Sequence, residues 1–384
     1  MKIQDKKVAI IGGGPGGLTL ARLLQVKGLS VKVYERDLNE NIRPQGAPLD
    51  LHEESGLAAI KQAGLLEEFK KNYMLGADRL KIMDKNGTIH FNDHNKKLEE
   101  NFENPSFRPE IDRGALREIL LNSLNKNTVV WNSHFLSMSK QGNGWSLNFE
   151  NKDSVYADIV IGADGPNSKI RSYLTPTKPI YSGITMLEGN ISNATINSPI
   201  VNSFLEGGKI MAFGNGKNIM IGQKANNTIG FYISLKIEEN YFSSHKIDFN
   251  DKEQLTHWFK KEYEDWNFKI WEELLINAKQ PIIPRPICYM PLDQNWITQP
   301  NLTIIGDAAH VMPPFAGEGV NMAMLDALEL SENLISENSL FQEYEIKMRK
   351  RSLKITQLSL DNGEKMHNKN ALSFMLDFFN NKAV

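Results

Sequence analysis

An α/β fold carrying a β-rich insert is predicted by three observations. The first 34 residues read as strand, glycine turn, helix and strand, a β-α-β unit. From about Lys178 to Pro286 the texture changes to short alternating runs and turn residues. An apolar strand at Asn301–Ile305 then returns to the earlier style. The predicted layout is a Rossmann-like domain, residues 1–177 plus 287–337, interrupted by an antiparallel β-sheet domain at 178–286. Residues 338–384 add a C-terminal bridging helix and tail.

Composition narrows the function classes. With 41% hydrophobic and 23% charged residues, the 384-residue chain has material for a large core. A net charge of −2 leaves no basic excess to displace phosphate counterions, which argues against nucleic acid or an anionic membrane as partner. The "KMRKR" cluster at Lys347–Arg351 sits among acids and helix formers and reads as a solvated helix face. Cys288 is the single cysteine, so no internal disulfide or cysteine-based metal site is available, and "PICYM" suggests a buried, inert thiol. No apolar stretch approaches the roughly twenty residues of a membrane span. The opening "MKIQDKKVAIIGGGPGG" does not read as a signal peptide. A cytoplasmic monomer is expected.

The remaining elements follow from local signals. A helix is predicted over Pro15–Lys27, stopped by Gly28, then a strand over Ser30–Tyr34. A Pro/Gly loop at Arg43–Pro48 precedes one helical segment from about Glu53 to Lys71. "LKIMDKNGTIHF" alternates on both sides of Asn86-Gly87, a hairpin signal. Asp112 should cap a helix through Leu124. Strands are expected at Val129–Trp131, Phe135–Ser137 and Trp145–Phe149, and "ADIVIGADG" reads as a buried strand ending in a tight turn. Within the insert, "IMAF", "NIMIG" and "IGFYISL" suggest strands, followed by amphipathic helices at Asp251–Tyr263 and Asn267–Ala278. Helices at Val320–Ile335 and Leu340–Met366 finish the chain before an apolar tail, "ALSFMLDFF".

The first turn carries chemistry. "VAIIGGGPGGLTLARLL" places Gly12-x-Gly14-x-x-Gly17 directly after a strand and before a helix. The first glycine permits the turn, the second lets a pyrophosphate approach the backbone, and the third lets helix and strand pack closely. Free amides at the helix start then meet the diphosphate. Glu35 ends the next strand, where a carboxylate accepts from an adenosine ribose and repels a ribose phosphate. FAD or NAD is therefore expected here, not NADP.

Two later stretches choose between them. "IGADGPNSKIR" (Ile161–Arg171) and "GDAAHVMPPFAGEG" (from Gly306) each follow a buried strand. The three stretches in this order resemble the class A flavin-dependent monooxygenases, the aromatic hydroxylase family, across essentially the whole chain. They correspond to its ADP loop, its DG motif (Asp164, Gly165, Ser168, Arg171) and its GD motif (Gly306, Asp307). "YERD", "LDLHEESG", "EIDRGALR" and "GDAAHVMPPFAGEGVN" are especially similar to the Tet(X)-type tetracycline-inactivating enzymes. The resemblance implies FAD contacts at Gly12, Gly14, Gly17, Glu35, Arg36, Asp50, Arg113 and Asp307, with Arg117 a weaker candidate, and NADPH contact at Arg43. Taken without the resemblance, Arg113 could instead pair with Asp112 or Glu110. Asp164 is read as holding the DG turn. The helix starting at Gly319, Val320 and Asn321 offers amides suited to the electron-rich N1–O2 edge of reduced flavin. Pro313 and Pro314 would stiffen the loop that aims them.

No second strand–GxGxxG–helix unit exists, so the resemblance implies that NADPH visits transiently as co-substrate. Reduced FAD would then react with O₂ and pass one oxygen, through a flavin C4a-hydroperoxide, to an aromatic or polycyclic small molecule. The protein's share is orientation and a dry cavity. His310 is read as a supporting loop residue. Candidate substrate-lining residues are Met186, Glu188, Lys209, Met211, Phe213, Phe231, Pro314, Phe315 and Gly317. Glu188, Lys209 and Gly230 depart from the Gln, Arg and His of the tetracycline enzymes, and Lys209 is a possible partner for Glu188. Glu318 stands where that family often has Gln.

Overall fold

The computed structural model describes residues 3–40, 48–95, 100–224, 226–336 and 341–382. Five parallel strands form one sheet, in the spatial order Leu302–Ile304, Ile159–Gly162, Val8–Ile11, Val31–Tyr34 and Val129–Val130. The first three are buried at every position, as continuous apolar runs must be when both faces are covered. The helix Pro15–Val26 packs along the helix Gly319–Ile335. A Cβ on Gly16 would stand only 3.1 Å from the Ala323 carbonyl oxygen. Gly16 and Ala323 both lie in the opening turns of their helices, so the two helix starts are neighbours.

A seven-stranded sheet forms the other body. Its order is Ile283–Tyr289, Ile180–Ser192, Thr228–Lys236, Lys217–Lys224, Lys209–Gly214, Leu80–Asp84 and Ile89–Asn92. The hairpin at Asn86-Gly87 thus joins the insert's sheet, with Leu80–Asp84 running parallel to Lys209–Gly214. The predicted boundaries 178–286 miss this, because hairpin signals are local and sheet membership is not. One face of the sheet packs Leu187, Ile221, Phe231 and Ile233 against helices Lys252–Glu262, Phe268–Trp271 and Glu273–Ile276. Part of the other face packs Ile82 and Phe213 against Met366 and Met375 at the C-terminal end. Smaller sheets pair Val155–Ala157, Gly144–Phe149 and Phe135–Gln141, and Leu49–Asp50 with Glu110–Ile111.

Several local expectations change. The segment Glu53–Lys71 is two helices, Gly56–Gln62 and Leu66–Asn72, because Gly64 adopts φ +70° and ends the first. The second insert helix is likewise split, into Phe268–Trp271 and Glu273–Ile276. The apolar tail is a helix, Ala371–Lys382, laid against the strands Leu80–Asp84 and Lys209–Gly214. Within "KMRKR", Lys347 and Lys350 are solvated, whereas Arg351 turns inward to Asp326 and Glu329, both at 2.7 Å. Cys288 is half-buried, and burial raises its thiol pKa. Asp112 caps its helix as expected, accepting from Gly114 N at 2.7 Å. No helix among the described residues is long and apolar enough to cross a membrane.

Candidate functional site

The glycine loop is tight at two positions and open at one. Gly12 has φ +112°, and a Cβ there would lie 2.2 Å from Ala163 O; one on Gly17 would lie 2.1 Å from Gly12 O. A Cβ on Gly14 would meet nothing within 4 Å. Gly14 also begins the helix Pro15–Val26, whose start has no side-chain cap. The arrangement is a backbone cradle beside free amides. The buried Glu35 carboxylate accepts from Gly13 N at 2.6 Å and from Asp37 N at 3.1 Å, so it also shapes the loop. Arg36 is exposed beside it. Arg117 braces this region, donating to Glu40 O at 2.6 Å and lying over the Trp131 ring at 5.3 Å. Arg43 lies outside the described residues.

The DG and GD turns are tied together. Asp164 accepts from Ser168 Oγ and from the amides of Lys169 and Ile170, which fixes the DG turn. Arg171, buried, donates to Ala308 O at 2.7 Å, Pro166 O at 2.9 Å and Asp307 O at 3.0 Å. The GD turn is held from below by Asp326, which accepts from Gly306 N at 2.9 Å and His310 Nε2 at 2.6 Å and also receives Arg351. His310 is therefore a buried support. Burial opposes its charge, but Asp326 raises its pKa overall. The Asp307 carboxylate makes no hydrogen bond among the described residues. Burial raises its pKa, against the charges of His310, Arg113 and Arg171. Arg113 is exposed at the start of its helix, and among the described residues its guanidinium has no ion pair. Asp112 is spent as a cap and Glu110 on Lys209, so the alternative pairings for Arg113 are not formed.

The start of the helix Gly319–Ile335 has no side-chain cap either. Asn321, fully buried, instead bolts it to the segment Asp50–His52: its Oδ1 accepts from His52 N and its Nδ2 donates to Asp50 O, both at 3.0 Å. The His52 ring sits between two carboxylates, Nε2 at 3.0 Å from Asp50 and Nδ1 at 3.1 Å from Glu318. The second contact is an ion pair rather than a well-directed hydrogen bond. Burial opposes protonation, yet the two carboxylates raise the His52 pKa to about 9. Asp50 is the strand partner of Glu110, and Glu110 pairs with Lys209 from the large sheet. Burial raises the Glu110 pKa to about 7 in spite of Lys209. A chain of charges thus runs from the large sheet to the Gly319 helix.

Strand register arranges the facing side of that sheet in three rows. Across four strands these are Lys209, Gly222, Gly230 and Asn190; then Met211, Met220, Tyr232 and Glu188; then Phe213, Asn218, Ser234 and Met186. The third row is covered by the C-terminal region: Phe213 packs on Met366, and His367 Nε2 meets Ser234 Oγ at 2.7 Å and Asn218 Nδ2 at 3.0 Å. The first row is open only at Gly222, where a Cβ would meet nothing within 4 Å; over Gly230 the Lys224 side chain passes, with Cδ 3.0 Å from where a Cβ would stand, and donates to Asn190 Oδ1 at 3.0 Å. Phe315 packs with Met211 and Met220, while Pro314 and Gly317 are exposed on the same loop. Ser359 and Asn362 hold this loop by donating to Pro313 O and Phe315 O at 2.5 and 3.1 Å. Phe231 does not belong to this face. A strand alternates sides, and Phe231 points to the helix-covered core. Nor does Lys209 pair with Glu188, which takes Arg285 at 2.8 Å.

The profile of the FAD binding domain family matches residues 5–359. The chain belongs to this family. It is an FAD-dependent monooxygenase of that family. Among curated relatives, the monooxygenase penA of Penicillium thymicola is 29% identical over 379 residues, covering 87% of this chain and 85% of that protein. The fold is shared with HpxO of Klebsiella pneumoniae, solved with FAD and uric acid, at TM-score 0.76, 18% identity and coverage of 97% and 92%. It is also shared with the tetracycline destructase Tet(55), at TM-score 0.74, 18% identity and coverage of 96% and 92%. Sequence similarity therefore extends to a fungal monooxygenase, and the likeness to a tetracycline destructase is one of fold.

The residues present fit FAD. An open cradle at Gly14, two adjacent uncapped helix starts and an Asp307 carboxylate with no hydrogen bond among the described residues form a path suited to a long, polar cofactor. Sequence reasoning missed His52, Glu110, Arg285 and Tyr232. Pleat alternation from Gly230 pointed to Tyr232; the others become visible only once separate strands are placed together.

Proposed function

We propose that this FAD-dependent monooxygenase uses NADPH and O₂ to hydroxylate a flat, electron-rich phenolic or polycyclic molecule. The observation that carries this is the open floor at Gly222, bounded by Lys224 over Gly230, flanked by Lys209, Met211, Met220 and Tyr232 and linked by charge to the Gly319 helix. A glycine inside a strand weakens a sheet, and here Gly222 leaves room for the edge of a planar ring on the backbone. FAD, when bound, supplies hydride acceptance and oxygen activation.

The chain's own residues bind, orient and exclude water. Gly12, Gly14 and Gly17 give the pyrophosphate its backbone approach, with Glu35 and Arg36 at the adenosine end. Asp307 accepts from hydroxyls along the ribityl chain, and the amides of Gly319, Val320 and Asn321 favour negative charge at the flavin ring. Arg113 has a guanidinium without an ion pair among the described residues for the same region, and Arg43 is assigned to NADPH. Lys209, held by Glu110, borders the floor with a paired ammonium. Met211, Met220, Phe315 and Tyr232 supply adaptable apolar walls.

Tetracyclines fall within this substrate class. However, Glu188 is engaged by Arg285, Lys209 by Glu110, and Gly230 offers no side chain. Tetracycline is expected to bind more weakly than in the tetracycline-inactivating enzymes. The test is NADPH consumption by FAD-loaded protein against tetracyclines and other phenolic polycycles, with mass spectrometry of products. Stimulated consumption with a product heavier by one oxygen supports the reading. Consumption that no phenolic compound accelerates, or products without added oxygen, would overturn it.

A further inference from the structure

The His52 ring is 1% exposed, and each of its nitrogens faces a carboxylate oxygen, Asp50 on one side and Glu318 on the other. A neutral imidazole has one N–H and one lone pair, so it would turn a lone pair toward an anionic oxygen. The two close carboxylate oxygens therefore favour the doubly protonated ring, whose second charge contact, to Glu318, is an ion pair, and the raised pKa agrees. Glu318 immediately precedes the helix Gly319–Ile335, a position from which a carboxylate can fold back to cap the first amides. It does not: no side-chain cap forms. The ring is fixed in turn, because Asn321 bonds the backbone on both sides of it.

We propose that His52 is a positioning residue: its imidazolium holds Glu318 away from the amides of Gly319–Asn321 and cancels its charge, leaving that helix start free for the electron-rich edge of reduced flavin. The inference rests on the reading above that this helix start meets the flavin ring. Other charges bear on the cluster from neighbouring elements. Lys209 and Glu110 act on Asp50 from the large sheet and the short strand, and Asp78 acts on both of them.

Removing the imidazolium leaves Glu318 beside the site as an uncompensated anion, which disfavours the reduced, more negative cofactor. Removing the Glu318 charge does the reverse. His52→Gln should weaken binding of reduced FAD about tenfold relative to oxidised FAD, the size of one near-surface charge interaction, and so lower the flavin midpoint potential. Glu318→Gln should raise the potential, and the double variant should return close to the parent value. In the parent protein, reduced-FAD affinity should fall as pH rises through about 9, and this step should vanish in His52→Gln.

Spectroelectrochemical titration of the four FAD-loaded proteins, beside their thermal unfolding, is the experiment. Opposite shifts in the single variants with cancellation in the double support the proposal. Potentials that stay together while only stability drops would overturn it, as would shifts of the same sign. If the parent protein binds no FAD at all, the failure belongs to the flavin reading instead.

Discussion

The Arg171 guanidinium donates to the main-chain oxygen of Asp307 at 3.0 Å, tying the turn after one parallel strand to the turn after its neighbour. With Ala308 O and Pro166 O it satisfies three carbonyls. Arg171→Ala would strand these acceptors in a buried place, and a loss of about 3 kcal/mol is expected. Urea unfolding reads it, and a midpoint within error of the parent would contradict this account of the turn.

Gly14→Val places a side chain in space that the protein leaves open. The fold should survive while the cradle is filled. Purified variant should carry less than about a tenth of the parent's bound FAD, a change of roughly 1.4 kcal/mol or more. Full yellow absorbance would defeat the prediction.

Arg113→Ala removes an exposed guanidinium without a partner among the described residues. Stability should change by less than about 0.5 kcal/mol. FAD binding or the rate of flavin reduction should fall roughly tenfold, as for a charge-assisted contact. Unaltered reduction kinetics would remove Arg113 from the site.

The His52 pKa is raised from 6.5 to about 9, so the folded state holds this proton more tightly than the unfolded chain. Its contribution is fully present below pH 6.5 and is lost as pH climbs through 9. It amounts to on the order of 3 kcal/mol. Thermal unfolding of cofactor-free protein from pH 6 to 9.5 should show the decline, and His52→Gln should flatten it. An unchanged slope in the variant would refute the linkage.

Two neighbouring regions of the large sheet should respond in opposite ways. Phe231→Ala empties a fully buried site on the helix-covered face and should cost about 3–5 kcal/mol while leaving KM alone. Gly222→Leu fills the bare floor and should raise KM with the melting temperature maintained. A KM effect from Phe231→Ala alone would mean that the pocket lies on the other face.

What the sequence made legible was whatever depends on neighbours along the chain. The Gly12–Gly17 turn, the Asp112 cap and the Asn86-Gly87 hairpin are each set by a few adjacent residues, and each forms as expected. The triple of glycine loop, DG turn and GD turn carried the family because every piece ends a buried strand. Pairing of charges was not legible. Glu188 finds Arg285, and Lys209 finds Glu110, across gaps of 97 and 99 residues that only tertiary packing closes. Gly230, at a drug-contact position of the tetracycline enzymes, and Phe231, expected to line the pocket, cannot share a face under the two-residue period of a strand, and only the glycine stands on the open face.

The parallel pairing of Leu80–Asp84 with Lys209–Gly214 has a practical consequence for domain transplantation. A fragment cut at 178 and 286 would leave the Lys209–Gly214 strand with a naked hydrogen-bonding edge and strip Met83 from the hydrophobic core. Such an edge invites association between copies. Swapping substrate preference between relatives therefore calls for exchanging the hairpin together with the insert, as a chimera with two crossovers rather than one excised cassette.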